Sequence, residues 1–192
     1  MKKYEYQRIG RLAEQLEVAE VDREKIDQIM EGGTDIRRST KSEDKAEWMR
    51  RAMLRMNKLL DSKTRKAVRE GCACCLGGKR LKTSQAIAKR NESLEARIKA
   101  VDEANYVGRL TKMENGVILV RFYPEGLEHY RCVCLPKAKQ LLPITYCYCC
   151  GGHVKHHLQI ALGRKLDCTT RSSALSSGGK YPCTFSFRIV NE

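Results

Sequence analysis

The 192-residue chain has no apolar run long enough to cross a bilayer. It begins Met1-Lys2-Lys3-Tyr4-Glu5-Tyr6-Gln7-Arg8, with no apolar stretch that would make a secretory signal. No membrane association and a cytoplasmic location are therefore expected, and thiols stay reduced there. That lowers the rank of a disulfide framework and raises that of metal ligation or thiol chemistry. Aromatic residues are scarce at 6%, so few platforms exist on which bases could stack. Acids are sparse in the C-terminal part, with 9 Asp and Glu over residues 71–192, and no catalytic carboxylate pair stands out there. Gly77-Gly78-Lys79-Arg80 and Gly178-Gly179-Lys180-Tyr181 lack the Ser/Thr and the upstream Gly of a phosphate-binding loop. Neither Gly-x-Ser-x-Gly nor His-Glu-x-x-His occurs. An enzymatic activity is thus neither assigned nor excluded.

Cysteine, by contrast, is abundant and clustered. The chain has ten, and six fall in two similar segments, Cys72-Ala73-Cys74-Cys75-Leu76-Gly77-Gly78 and Cys147-Tyr148-Cys149-Cys150-Gly151-Gly152-His153. Each holds a Cys-x-x-Cys with an extra thiol inside it and a Gly-Gly after it. A shorter pair, Cys132-x-Cys134, lies between them. Such spacing suits a metal centre, a dithiol redox centre, or both.

The net charge of +14 raises the possibility of a nucleic-acid partner. Residues 1–70 carry 18 Lys and Arg against 14 Asp and Glu, and residues 71–192 carry 19 against 9. The excess is scattered, which favours a solvated basic surface over a binding stripe.

Residues 1–104 read as helical. Ile9, Leu12 and Leu16 recur at helical spacing; Asp22 caps a short helix that Gly32-Gly33 stops. Ser42 opens a stronger helix whose Trp48, Met49, Ala52, Met53 and Met56 share one arc. Asp61 or Ser62 starts a helix ending at Gly71, and Thr83 or Ser84 starts another reaching about Ala104. From residue 105 the period changes to two. Strands 106–113 and 117–123 flank Asn115-Gly116, a hairpin signal. A third strand is expected over 127–134, with Cys132 and Cys134 on one face. A short helix over 151–162 and two further strands complete the chain. The class is α+β: a helical region, 1–104, then an antiparallel sheet of about five strands, 105–192, with a short helix between strands 3 and 4. The two regions can also form one unit.

The C-terminal quarter carries an ordered set of features. Tyr146-Cys147-x-Cys149 is followed by a helix ending at Gly163, a strand, Ser173-x-Leu175-x-x-Gly178, and Cys183-x-Phe185. Over roughly residues 143–190 this resembles the tail of the 4-vinyl-reductase domain family, and small bacterial proteins end similarly. The resemblance implies a small domain that binds an apolar small molecule, often as a homodimer, with zinc suspected on cysteines matching Cys147, Cys149 and Cys183. Cys150, the first cluster and the Cys132/Cys134 pair depart from that pattern.

Three readings follow. The first is a cysteine-ligated metal protein, zinc or iron, acting as sensor or carrier of a small apolar ligand. Its candidate ligands are Cys72, Cys74, Cys75, Cys147, Cys149, Cys150, Cys183 and His153. Cys72/Cys75 with Cys147/Cys150 would complete a tetrahedron. The second is a thiol-based enzyme or redox sensor, since Cys149 and Cys150 fall at a helix start, where thiolate is stabilised. The third is a zinc-stabilised nucleic-acid binder. His153 and His157, four residues apart, share a helix face and could chelate, although a half-exposed helix surface is their ordinary state.

Overall fold

The computed structural model describes residues 3–190. Six helices lead: α1 Gln7–Val18, α2 Arg23–Ile29, α3 Ser42–Leu59, α4 Ser62–Gly71, α5 Gly78–Arg90 and α6 Leu94–Ala104. A hairpin of β1 Leu110–Glu114 and β2 Val117–Arg121 follows. A long irregular segment then reaches α7 Tyr148–Leu162, β3 Leu166–Ser172 and β4 Thr184–Ile189. The sheet is antiparallel throughout, in the order β1-β2-β4-β3. This is the expected α+β class, with helices mostly first and the sheet after.

Local chemistry explains most boundaries. Asp22 accepts from the Glu24 amide, Asp61 from Thr64 and Ser93 from Ala96, each satisfying a free N–H at a helix start. In the hairpin, Asn115 and Gly116 both adopt positive φ, as a type I′ turn requires.

Two expectations give way. The helix expected from residue 83 to about 104 is two helices, because Ser93 caps α6 and the Asn91 side chain donates back to the Ile87 carbonyl. The third strand over 127–134 does not form, so the sheet has four strands. Tyr130 donates to the Gly179 carbonyl, but the chain then turns, and the amides of Cys134 and Leu135 donate to the Cys132 sulfur. Those amides are lost to a ladder, and Cys132 and Cys134 do not share a strand face.

Two apolar cores hold the molecule. One joins α1–α3 to Cys132, Leu135, Leu142, Tyr146 and Leu175. The other joins α5, α6 and α7 to the sheet through Ile87, Val101, Leu158, Phe185 and Phe187. Neither follows the change of periodicity at residue 104. The start of α7 and the end of α4 lie between them. No helix among the described residues is long and apolar enough to cross a membrane.

Candidate thiol site

The two cysteine segments meet, although the same residue pattern adopts two conformations. The first is a loop. Cys72 ends α4, Cys75 takes a left-handed conformation (φ 59°) that costs a side-chain-bearing residue energy, and Gly78 (φ 64°) turns the chain into α5. The second is helical: Cys149 and Cys150 lie in the first turn of α7. Gly151 and Gly152 therefore make no turn. They permit close packing: a Cβ on Gly152 would lie 2.5 Å from the Glu70 carbonyl oxygen, and one on Gly151 would lie 2.9 Å from the Cys168 sulfur.

Histidines fasten the loop to the helix. His153 Nδ1 donates to the Cys74 carbonyl (2.7 Å), His157 Nε2 to the Cys75 carbonyl (3.0 Å) and His156 Nε2 to the Leu76 carbonyl (3.2 Å). A carbonyl only accepts, so each of these nitrogens carries its proton. His157 is fully buried, and its Nδ1 faces the Ser84 hydroxyl at 3.2 Å, which itself meets the Tyr106 hydroxyl at 2.9 Å. Burial lowers the pKa of His153 to about 4 and also lowers that of His157, so both are neutral donors near pH 7. The histidine face is thus committed to the loop: His153 is half-exposed, as expected, whereas His157 is buried.

Beside the loop, α1 and α4 supply three arginines. Ile9, Leu12, Ala13 and Leu16 turn one face of α1 into the core, which leaves Arg8 and Arg11 at its edge. Arg8 donates to the Cys134 carbonyl (2.6 Å) and the Tyr146 hydroxyl (3.3 Å); Arg11 donates to the Ala73 carbonyl (2.6 Å). Arg69 is only 3% exposed, donates to the Tyr146 carbonyl (2.9 Å) and lies 5.0 Å over the Tyr146 ring. Its Nε is buried without a partner. Among the described residues none of the three pairs with a carboxylate.

The thiols differ sharply in environment. Cys134 and Cys150 have sulfurs 3.7 Å apart. Cys134 is pulled well below an ordinary thiol pKa, because the Cys132 and Cys150 thiols donate to it and Arg8 adds positive charge. Cys150 is correspondingly raised. Cys149 is lowered to about 7 by the neighbouring Cys150 thiol and then by Arg69. Burial raises Cys72, Cys74, Cys147 and Cys183, and raises Cys168 to about 12. Cys147 is turned to the Ser173 hydroxyl (2.9 Å) rather than into the cleft. Cys183 accepts from the Ala174 amide.

Two cavities converge on these sulfurs. One, of about 360 Å³, is lined by Arg8, Arg11 and Arg69 with Cys72, Cys134 and Cys149. The other, of about 560 Å³, is lined by Tyr106, Phe122, Tyr123 and Val133 together with Cys134 and Cys150. Among the described residues no group of three or more His, Cys, Asp or Glu side chains is disposed to hold a metal ion. Cys72, Cys75, Cys147 and Cys150 are therefore not gathered as a tetrahedral set. All ten cysteines are free thiols.

Arg8, Arg11 and Arg69 have no place in the expected site, Tyr146 enters only in the resemblance motif, and Cys134 only as half of a Cys-x-Cys pair outside the candidate ligand set. No local signal sets Arg69 apart, because α4 also carries Lys63, Arg65 and Lys66.

Fold and site together define a cysteine-rich α+β protein with an arginine-lined thiol cleft. The chain belongs to a family of unknown function (DUF6144), whose model matches residues 10–180. No curated protein and no solved structure matched it.

Proposed function

We propose that the protein is a thiol–disulfide redox protein whose working pair is Cys134 and Cys150. The observation that carries this reading is the 3.7 Å approach of the two sulfurs beside Arg8, at the junction of two cavities. A disulfide needs about 2.05 Å between sulfurs, a change that side-chain rotation can supply from there. The Cys134 thiolate attacks one sulfur of a small-molecule disulfide, forming a mixed disulfide and releasing one thiolate. Cys150, after losing its proton to solvent, attacks the Cys134 sulfur and releases the second thiolate. Two protein thiols are oxidised as one external disulfide is reduced to two thiols. Arg8 stabilises the attacking form, and the histidine-held loop keeps one wall of the cleft fixed.

The test is to expose the reduced protein to oxidised glutathione and map the product by peptide mass spectrometry. A Cys134–Cys150 disulfide, lost in Cys150→Ser, supports the reading. Uniformly slow thiol labelling with no such crosslink refutes it.

A second reading, metal ligation by cysteine, has one observation in its favour. The Cys132 sulfur accepts two amides, from Cys134 (3.3 Å) and Leu135 (3.4 Å), as metal-bound thiolates do, although the bond it donates to Cys134 keeps Cys132 protonated until a metal displaces the proton. The resemblance to the vinyl-reductase tail would add Cys147, Cys149 and Cys183. Structural zinc can contribute about 10–16 kcal/mol of apparent binding energy. Elemental analysis for zinc and iron on protein purified without chelator decides it; under about 0.3 metal per chain rejects this reading.

A further inference from the structure

A buried guanidinium without a carboxylate is costly, and along the arginine-lined cavity Arg69 is buried, Arg8 half-buried and Arg11 exposed. Arg69 is the extreme case, nearly inaccessible, with its Nε unpartnered. No Asp or Glu lines that cavity. Water reaches the exposed Arg11, so the unmet hydrogen-bonding demand falls on Arg69. The adjoining cavity is mixed: Tyr106, Val107, Phe122, Tyr123 and Val133 form an apolar wall, and Arg80, Arg109 and His153 also line it. Arg8, Cys74, Cys75, Cys134 and Cys149 line both cavities, so the two share a boundary rather than lying apart.

We propose that the joined cavities bind a small amphipathic organic monoanion. Its acidic group lies among Arg8, Arg11 and Arg69, and its apolar body lies against Phe122, Tyr123 and Val133. A carboxylate suits the arginine end, because guanidinium and carboxylate match as planar, bidentate partners. The inference goes beyond the redox reading and does not depend on thiol reactivity. It also assigns the Arg69 Nε an acceptor, which no residue among those described supplies.

The test is calorimetric titration of the reduced full chain with 4-phenylbutyrate, 4-phenylbutanol and inorganic phosphate. The acid is expected to bind about tenfold or more tightly than the alcohol, which has the same apolar body without the charge. Arg8→Gln and Arg69→Lys should each weaken the acid about tenfold and leave the alcohol within about twofold. Circular dichroism checks that both variants fold, and Arg8→Gln serves alone if Arg69→Lys does not. Equal affinity for acid and alcohol, no saturable binding of the acid, or phosphate binding as tightly as the acid would each overturn the inference. The titration is repeated on the Cys134→Ser/Cys150→Ser double variant. Acid binding retained there, together with a failed disulfide test on the native chain, would remove the redox reading and leave the anion site standing.

Discussion

Replacing Gly152 by Ala sets two effects of opposite sign against each other. Gly152 lies inside α7, where alanine is intrinsically the better helix former by about 1 kcal/mol. Helix propensity alone therefore predicts stabilisation. The new Cβ, however, would lie 2.5 Å from the carbonyl oxygen of Glu70, 2.8 Å from its Cα and 3.0 Å from its carbonyl carbon. All three atoms are backbone of α4, so no side-chain rotation relieves the clash; the helices must separate. Overpacking of this kind costs about 1–3 kcal/mol, and a backbone obstacle puts it at the upper end. The net is a loss of about 2 kcal/mol, or a fall in Tm of about 4–8 °C for a chain of this length. The separation also has a functional sign. Glu70 stands two residues before Cys72, so moving it drags the first cysteine loop off the histidines of α7. Cys74 and Cys75 should label faster in the variant. Urea denaturation and timed alkylation measure the two effects. Gly77→Ala is the control: its Cβ would meet nothing within 4 Å, and its stability should stay within about 0.5 kcal/mol of native. A Gly152→Ala protein as stable as the native chain would refute the close-packing argument.

Burial pulls His153 down to about 4 and also lowers His157, against about 6.5 when unfolded. Because the folded values are depressed, stability is complete above pH 6.5 and declines as pH falls from there toward 4, by about 2 kcal/mol for His153 after allowing for its solvent contact. Urea midpoints should show this loss, and His153→Gln should remove its share; matching pH profiles for the two proteins would count against the assignment. Timed alkylation at pH 7 should modify Cys134 and Cys149 first, with Cys147 and Cys168 protected until unfolding; the reverse order would contradict the charge pattern of the cleft. Arg69→Met should slow labelling of Cys149 and move its pH midpoint upward from about 7, because the guanidinium that favours the thiolate is gone; an unchanged midpoint would show that Arg69 does not act on Cys149.

Local signals in the sequence transferred to the structure where one residue type decides a backbone conformation. Asn115-Gly116 made the hairpin, Asp22 and Asp61 made helix starts, and Gly163 ended α7. The third strand failed because alternation over 127–134 says nothing of a thiol that captures two amides. The site was half legible. The doubled cysteines marked it, but its arginines were invisible to periodicity, which places Arg8 and Arg11 on the wet side of α1. They are at the edge of that helix, and what lies beyond the edge is decided by how α1 packs on α4 and on the segment carrying Cys134. No local pattern contains that information.

The doubled motif is therefore not a structural repeat. In the first copy the glycines follow the thiols into a turn, and Cys75 is held left-handed. In the second, Cys-x-Cys-Cys is followed directly by Gly-Gly, without the residue that Leu76 inserts in the first; it is wound into a helix, and its glycines admit α4 against α7. The copies differ by Leu76, which the second lacks, and by the residue after the glycines. Lys79 continues a polar helix in the first copy, whereas His153 begins the set His153, His156 and His157 in the second. Those three imidazoles donate to three successive carbonyls of the first copy, from Cys74 to Leu76. One copy thus supplies the hydrogen-bond donors and the other the acceptors, and the strained loop exists because the helix holds it. It follows that the two cysteine clusters are energetically one unit: any change that frees the loop carbonyls alters the thiols on both sides. A His157→Phe variant should accordingly change labelling of Cys75 and of Cys149 together. Altered reactivity at Cys75 alone would mean that the loop is held by its own sequence rather than by α7.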